Sequence, residues 1–188
     1  MREFKELGVK PYGKRRPFAA FADDVLHEFE VAFDIRLPHS YVQFLRFSNG
    51  GALELAEFDD PVSGAVGGIT NFYGLGSRED DETAAREGRW DFGSLWSETR
   101  AFRQYQFSGR AVPIGENDCG DRVFLDFQVE PPRISQFFAS TKATYPLAST
   151  FEKFLDMLHE KTPLPHRGAH KVRLNLEKPP KENGTGAV

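Results

Sequence analysis

The sequence predicts an α+β fold: a single domain whose twisted, mainly antiparallel sheet carries helices packed against it. Three observations predict it. Two amphipathic helical patterns come first, the strand patterns that follow are joined by turns and not by regularly alternating crossover helices, and a last amphipathic helix closes the body. A length of 188 residues suits one domain with tails. Hydrophobic content of 39%, with 18 Phe, is enough apolar surface to close a core.

The first helix is read from Phe18, Phe21, Val25, Phe29 and Phe33, spaced by three or four residues and so on one face over 18–33. In the second, Pro38 fits a first turn, where its missing N–H is harmless, His39 is a polar first-turn residue, and Tyr41, Phe44 and Leu45 share a face. Asn49-Gly50-Gly51 stops it. From Ala52 to Leu75 short alternations separated by "DDPVSGAVGG" predict strands. Ser77 to Phe107 reads as a polar, irregular segment, "SREDDETAAREGR", leading into a less regular helical region with Trp90, Leu95, Trp96, Phe102 and Tyr105. The stretch "PIGENDCGDRVFLDF" predicts a β-hairpin: Val123, Leu125 and Phe127 fall on one face, Phe124 and Asp126 on the other. Its turn, "ENDCG", is bracketed by Gly115 and Gly120, both read as positive-φ positions, with Asp118 and Asp121 as turn-formers. "PRISQFFAS" predicts another strand. Ser149-Thr150-Phe151-Glu152 then makes a capping box for a helix carrying Phe151, Phe154, Leu155 and Leu158.

The charges divide the chain. Residues 1–17 and 161–188 each carry six basic and two acidic side chains, while 18–160 hold 12 basic and 24 acidic, a net of −12. We therefore expect a basic N-terminal tail over 1–17, an α+β domain over 18–160 and a basic, Pro-rich C-terminal tail over 161–188. Both ends read as mobile, although Val172, Leu174 and Leu176 alternate well enough for a short strand. An acidic body repels nucleic-acid phosphates and attracts a basic protein surface. One cysteine, no signal-peptide pattern and no apolar run near ~20 residues point to the cytoplasm and away from membranes. Asn183-Gly184-Thr185 is a glycosylation acceptor only in a secreted chain.

Chemistry is sparsely signalled. There is no G-x-S-x-G, no G-x-x-x-x-G-K-[ST], no H-E-x-x-H and no C-x-x-C. His166 and His170 have helical metal-ligand spacing, but Pro163, Pro165 and Gly168 oppose a helix there. His27 and His159 are read as helical and non-catalytic. Cys119 has no histidine nearby in sequence to activate it. Asp118 and Asp121, with Cys119, leave an enzyme as the weakest reading, to be tested by whether these side chains enter a shared pocket or bond their own turn. No catalytic residue, cofactor or metal is expected.

Three blocks carry a resemblance. Leu37-Pro38-x-x-Tyr41-x-x-Phe44-Leu45 runs into Ser48-Asn49-Gly50-Gly51. Pro113-Ile114-Gly115-x-x-x-x-Gly120-Asp121 precedes Val123-Phe124-Leu125-Asp126. Ser149-x-Phe151-x-x-Phe154-Leu155-x-x-Leu158 closes the body. In this order they resemble the SUKH superfamily, which includes fungal regulators of cell-wall synthesis and many bacterial immunity proteins; the segment 77–110 departs from its pattern. The resemblance implies a non-catalytic α+β domain that binds the C-terminal domain of a cognate polymorphic toxin and neutralises it. A regulatory or scaffolding adaptor is the alternative it leaves. The acidic body fits a basic toxin domain such as a nuclease. The expected contact residues are the acids of two irregular segments, Glu57, Asp59 and Asp60 in one and Glu79, Asp80, Asp81 and Glu82 in the other. For any one of them, a merely solvated acidic face is an equally good reading.

Overall fold

The computed structural model describes residues 2–10, 20–61, 64–87, 93–107 and 109–160. Five α-helices are described: α1 Asp23–Phe33, α2 His39–Phe47, α3 Arg78–Arg86, α4 Leu95–Tyr105 and α5 Phe151–Met157. The strands are β1 Gly51–Ala52, β2 Leu55–Asp59, β3 Val66–Gly68, β4 Asn71–Phe72, β5 Ala111–Glu116, β6 Arg122–Asp126, β7 Arg133–Phe137, β8 Thr144–Ala148 and β9 His159–Glu160. They form two sheets, one of six strands in the order β1-β4-β5-β6-β7-β8 and one of three in the order β3-β2-β9. Every ladder is antiparallel. The α+β expectation is met, with the strands divided between two sheets.

The β5–β6–β7 ladder is buried on both faces. Val112, Ile114, Val123, Leu125 and Ile134 join the main core with α1, α2 and α5, and Phe127 packs against the same side. Phe124 points the other way, into a second cluster with Phe102 of α4, Ala111 and Phe137. Aromatic rings fill much of the main core. Phe44 lies 4.7 Å from Phe72, Tyr41 5.0 Å from Phe151, and Phe29 5.1 Å from Trp96. Each such pair adds roughly 0.5–1.5 kcal/mol to simple burial.

Local chemistry moves several predicted boundaries. α1 begins at Asp23, where Asp23 and Asp24 favour the positive helix start; Phe18 lies outside the described residues, and Phe21 precedes the helix. Pro38 is the N-cap of α2, its ψ of 139° being non-helical, so it stands just before the first turn instead of within it. After α2, Gly50 takes φ 87°. Asn49 is buried and does more than stop the helix: its side-chain amide donates to the Leu75 carbonyl and accepts from the Leu75 N–H, both at 2.7 Å. The α5 cap is Thr150, not Ser149, accepting from the Lys153 N–H at 3.3 Å. His159 belongs to β9 and not to a helix.

The largest corrections concern the start and the middle. Residues 2–10 are not a mobile tail: Leu7 is fully buried in the main core. Residues 161–188, with Val172, Leu174 and Leu176, lie outside the described residues, as do His166 and His170. The polar segment after Ser77 is the regular helix α3. Leu95 to Tyr105 is regular too, with Leu95, Trp96 and Phe102 buried, while Trp90 is outside the described residues.

Candidate functional site

The acids form two faces on separate elements. On β2, side chains alternate: Ala56 and Phe58 are buried, whereas Glu57 and Asp59 point outward beside β9. Glu57 stands opposite His159 in the register, and Asp59 Oδ1 lies 3.8 Å from His159 Nε2. These two acids sit on a strand, not in an irregular segment. Asp60 does not share their face; it is 4% exposed, and its backbone N–H and C=O close the turn by bonding Ala65 and Gly64 at 2.8 Å. A side chain so buried is a poor partner contact.

The second face is helical. Ser77 precedes α3 and accepts from the Asp80 N–H at 3.0 Å, while its hydroxyl donates to Asp80 Oδ2 at 2.7 Å. Ser77 thus caps the helix start, and the Asp80 carboxylate beside it is favoured by the helix dipole. Asp81 turns inward to Arg100 of α4 at 3.4 Å with only 8% of its side chain exposed. Glu82 pairs with Arg78 at 2.8 Å, one helical turn back, and this hydrogen bond holds its carboxyl below the ordinary range. Glu79 remains exposed. Across from α3, Asp24, Val25 and Glu28 of α1 complete an open groove of about 520 Å³ with Ser77, Arg78, Glu79 and Glu82. Four carboxylates face one guanidinium in that lining. The α1 contribution is not legible in the sequence, because Asp24 and Glu28 look like the ordinary polar side of a helix until α3 is placed against them.

The hairpin at 111–126 forms as expected, and Asn117 and Asp121 hold its turn. Asn117 Oδ1 accepts from the Cys119 and Asp121 N–H groups at 2.9 Å, and Asn117 Nδ2 donates to Asp121 Oδ2 at 3.0 Å. Asp121 Oδ1 accepts from the Ala139 N–H at 2.9 Å, pinning the next loop. Asp118 and Cys119 face solvent. Gly120 has the expected positive φ of 79°; Gly115 does not, and it is glycine for another reason. It lies at a register shift, where a Cβ would overlap the Asn71 carbonyl oxygen and approach Ile69 Cδ1 to 2.6 Å. These groups do not converge on a pocket, and no group of three or more His, Cys, Asp or Glu poised for a metal occurs among the described residues.

A buried charge cluster beneath α4 was also not anticipated. Glu98 Oε2 lies 2.9 Å from Arg122 Nη2, and Glu116 Oε2 lies 4.0 Å from the same nitrogen, with all three side chains less than a quarter exposed. Burial pushes the Glu98 carboxyl up; Arg122 opposes this, while Glu116 and Asp81 add to it. Burial also drives the Tyr73 hydroxyl well above its usual value, with the Glu98 charge adding. Sequence spacing carries little sign of such a cluster, since Glu98 and Arg122 meet only through the packing of α4 on the sheet.

The family model for SMI1/KNR4 proteins (SUKH-1) matches residues 21–157. The chain belongs to the SMI1/KNR4 family. Within the SMI1/KNR4 match the first block supplies α2 and its stop, with Leu37, Tyr41 and Asn49 buried, the second supplies the hairpin, and the third supplies α5 up to Met157. The helix α3 and the acidic groove lie inside the match, whereas residues 2–10 and β9 lie outside it. No curated protein matches the chain. No helix among the described residues is long and apolar enough to cross a membrane.

Proposed function

We propose that this SMI1/KNR4-family protein is a non-catalytic binding module of the cytoplasm, an immunity protein that captures a cognate toxin domain with a basic surface and neutralises it. The observation that carries this reading is the α1–α3 groove, where Asp24, Glu28, Glu79 and Glu82 face a single Arg78. Glu57 and Asp59 add a second acidic face on β2, and the net −12 of residues 18–160 extends the same sign over the body. A nuclease must present Lys and Arg to hold phosphates. An acidic protein that seats on that surface excludes nucleic acid from it, and opposite charges speed the encounter.

The test is co-expression with the product of a neighbouring toxin gene. Protection of the cells, and a complex that weakens as salt rises, are the expected results. Asp24→Lys with Glu28→Lys should slow association by roughly tenfold or more at low salt, read by stopped-flow mixing. Failure to protect sinks the immunity reading, and a gene with no toxin gene beside it favours a regulatory adaptor.

A further inference from the structure

A cavity of about 440 Å³ opens between the first turns of α2 and α5 and the loop that joins β6 to β7. It shares no lining residue with the α1–α3 groove. Its size suits a small molecule, since ligand pockets run from roughly 300 to 1,000 Å³. The walls come from parts of the chain far apart in sequence. Pro38 is the N-cap of α2, Pro131 and Pro132 close the loop side, and Phe151, 1% exposed, lies on the α5 side. Three proline rings give the cavity apolar, stiff walls, because each ring fixes its own φ.

Charges of both signs line this cavity. Arg36 enters from the segment between α1 and α2, Glu130 from the β6–β7 loop and Glu152 from the first turn of α5. Among the described residues no ion pair joins Arg36 to either acid, so opposite charges face one space without neutralising each other. The Arg36 guanidinium is protonated at any ordinary pH. Burial raises the Glu152 carboxyl, but its own backbone N–H and the Thr150 and Ser40 hydroxyls outweigh that and hold it below its ordinary value. Glu152 is therefore a fixed anion at neutral pH. Ser40 is only 8% exposed, whereas Gln43, one turn along α2, is exposed and adds an amide that both donates and accepts.

A ligand of one sign leaves part of this lining opposed. A cation meets Arg36, and an anion meets two carboxylates. A molecule that carries both signs a short distance apart satisfies both sides with charge-assisted hydrogen bonds. We propose that the cavity is a binding site for a small zwitterion, an α-amino acid or dipeptide with an apolar side chain: its carboxylate on Arg36, its ammonium on Glu130 and Glu152, its side chain against the prolines. This site is independent of the acidic groove and of any toxin.

Nitrogen–proton correlation spectra of the full-length protein, titrated with L-leucine, L-leucinamide and N-acetyl-L-leucine, test the site. Leucinamide lacks the carboxylate, and N-acetylleucine lacks the ammonium. Leucine is expected to shift the Ser40, Gln43 and Glu152 amides saturably, and each blocked form to bind roughly tenfold more weakly, the loss of one charge-assisted contact. Two substitutions of exposed side chains assign the ends. In Arg36→Gln, leucine and leucinamide should bind alike; in Glu130→Gln, the gap between leucine and N-acetylleucine should narrow. No saturable shift with leucine, or equal shifts with all three probes, overturns the proposal. So does an unchanged preference for leucine over leucinamide in Arg36→Gln, and so does tighter binding of leucinamide than of leucine to the wild type, which would make this a site for cations.

Discussion

The β5–β6 hairpin and the helix α3 are held in opposite ways. Val123 and Leu125 of the hairpin enter the main core while Phe124 enters the second, so the strand is gripped from both faces. Among its described side chains, α3 makes polar contacts: the Ser77–Asp80 cap, the Arg78–Glu82 pair along its own surface and the Asp81–Arg100 pair to α4. At the hairpin's turn Asp121 is structural, bonded to Asn117 and to the Ala139 N–H. Acids on α3 can stay on view, as Glu79 does, because most of that helix's surface is not needed to hold it.

The contrast breaks first if the second core proves dispensable. Phe124→Ala removes a fully buried ring that contacts Phe102 and Phe107 at 5.2 and 5.0 Å. It is expected to cost about 3–5 kcal/mol in chemical denaturation. Asp121→Ala comes next. It strips the acceptor for Asn117 Nδ2 and the Ala139 N–H, for an expected loss of about 1.5–3 kcal/mol. Asp118→Asn, three positions earlier in the same turn and exposed, should stay within about 0.5 kcal/mol, and a larger effect would mean that the turn acids have a role beyond the turn.

Ser77→Ala sharpens the other side. Losing the cap should cost about 1 kcal/mol or less, and the effect should appear as fraying of α3 in helical ellipticity more than as a shift of the global transition. If it lowered global stability as much as Asp121→Ala, α3 would be part of the cooperative core.

These two regions also differ in how far they could be read from the residues alone. The hairpin writes its structure locally, in period-two alternation with Asn, Asp and Gly at the turn, so its strands and faces followed directly, although the register shift at Gly115 did not. α3 has no apolar stripe, and a reading based on hydrophobic period passes over it, although the Ser77–Asp80 cap and Arg78–Glu82 spacing were present in the sequence. The candidate site was half legible for the same reason. Glu79 and Glu82 were expected contacts, but their partners in the groove, Asp24 and Glu28, come from a helix more than fifty residues earlier. Asp60 failed because turn composition does not reveal which acid faces inward. Residues 2–10 were misread because their apolar anchors, Phe4 and Leu7, are too few to show a period.

Glu98→Gln carries the smallest expected effect and the most specific sign. Burial raises the Glu98 carboxyl above its ordinary 4.5, so the folded protein keeps this proton to a higher pH than the unfolded chain does. Its contribution is therefore fully favourable below the unfolded value and is lost as pH rises through the folded one. Above that window the cost of burying the charge is constant. Glutamine keeps a hydrogen-bonding oxygen near Arg122 without the charge, so the variant should melt about 1–2 °C above the wild type at pH 7. Toward pH 4 the two curves should converge, because the wild-type carboxyl is then protonated as well. A variant less stable than wild type by the same margin at both pH values would show that Glu98 acts through its pairing with Arg122 and not through the burial of its charge. The link from α4 to β6 would then be a favourable ion pair, and the hairpin would owe part of its grip to charge as well as to packing.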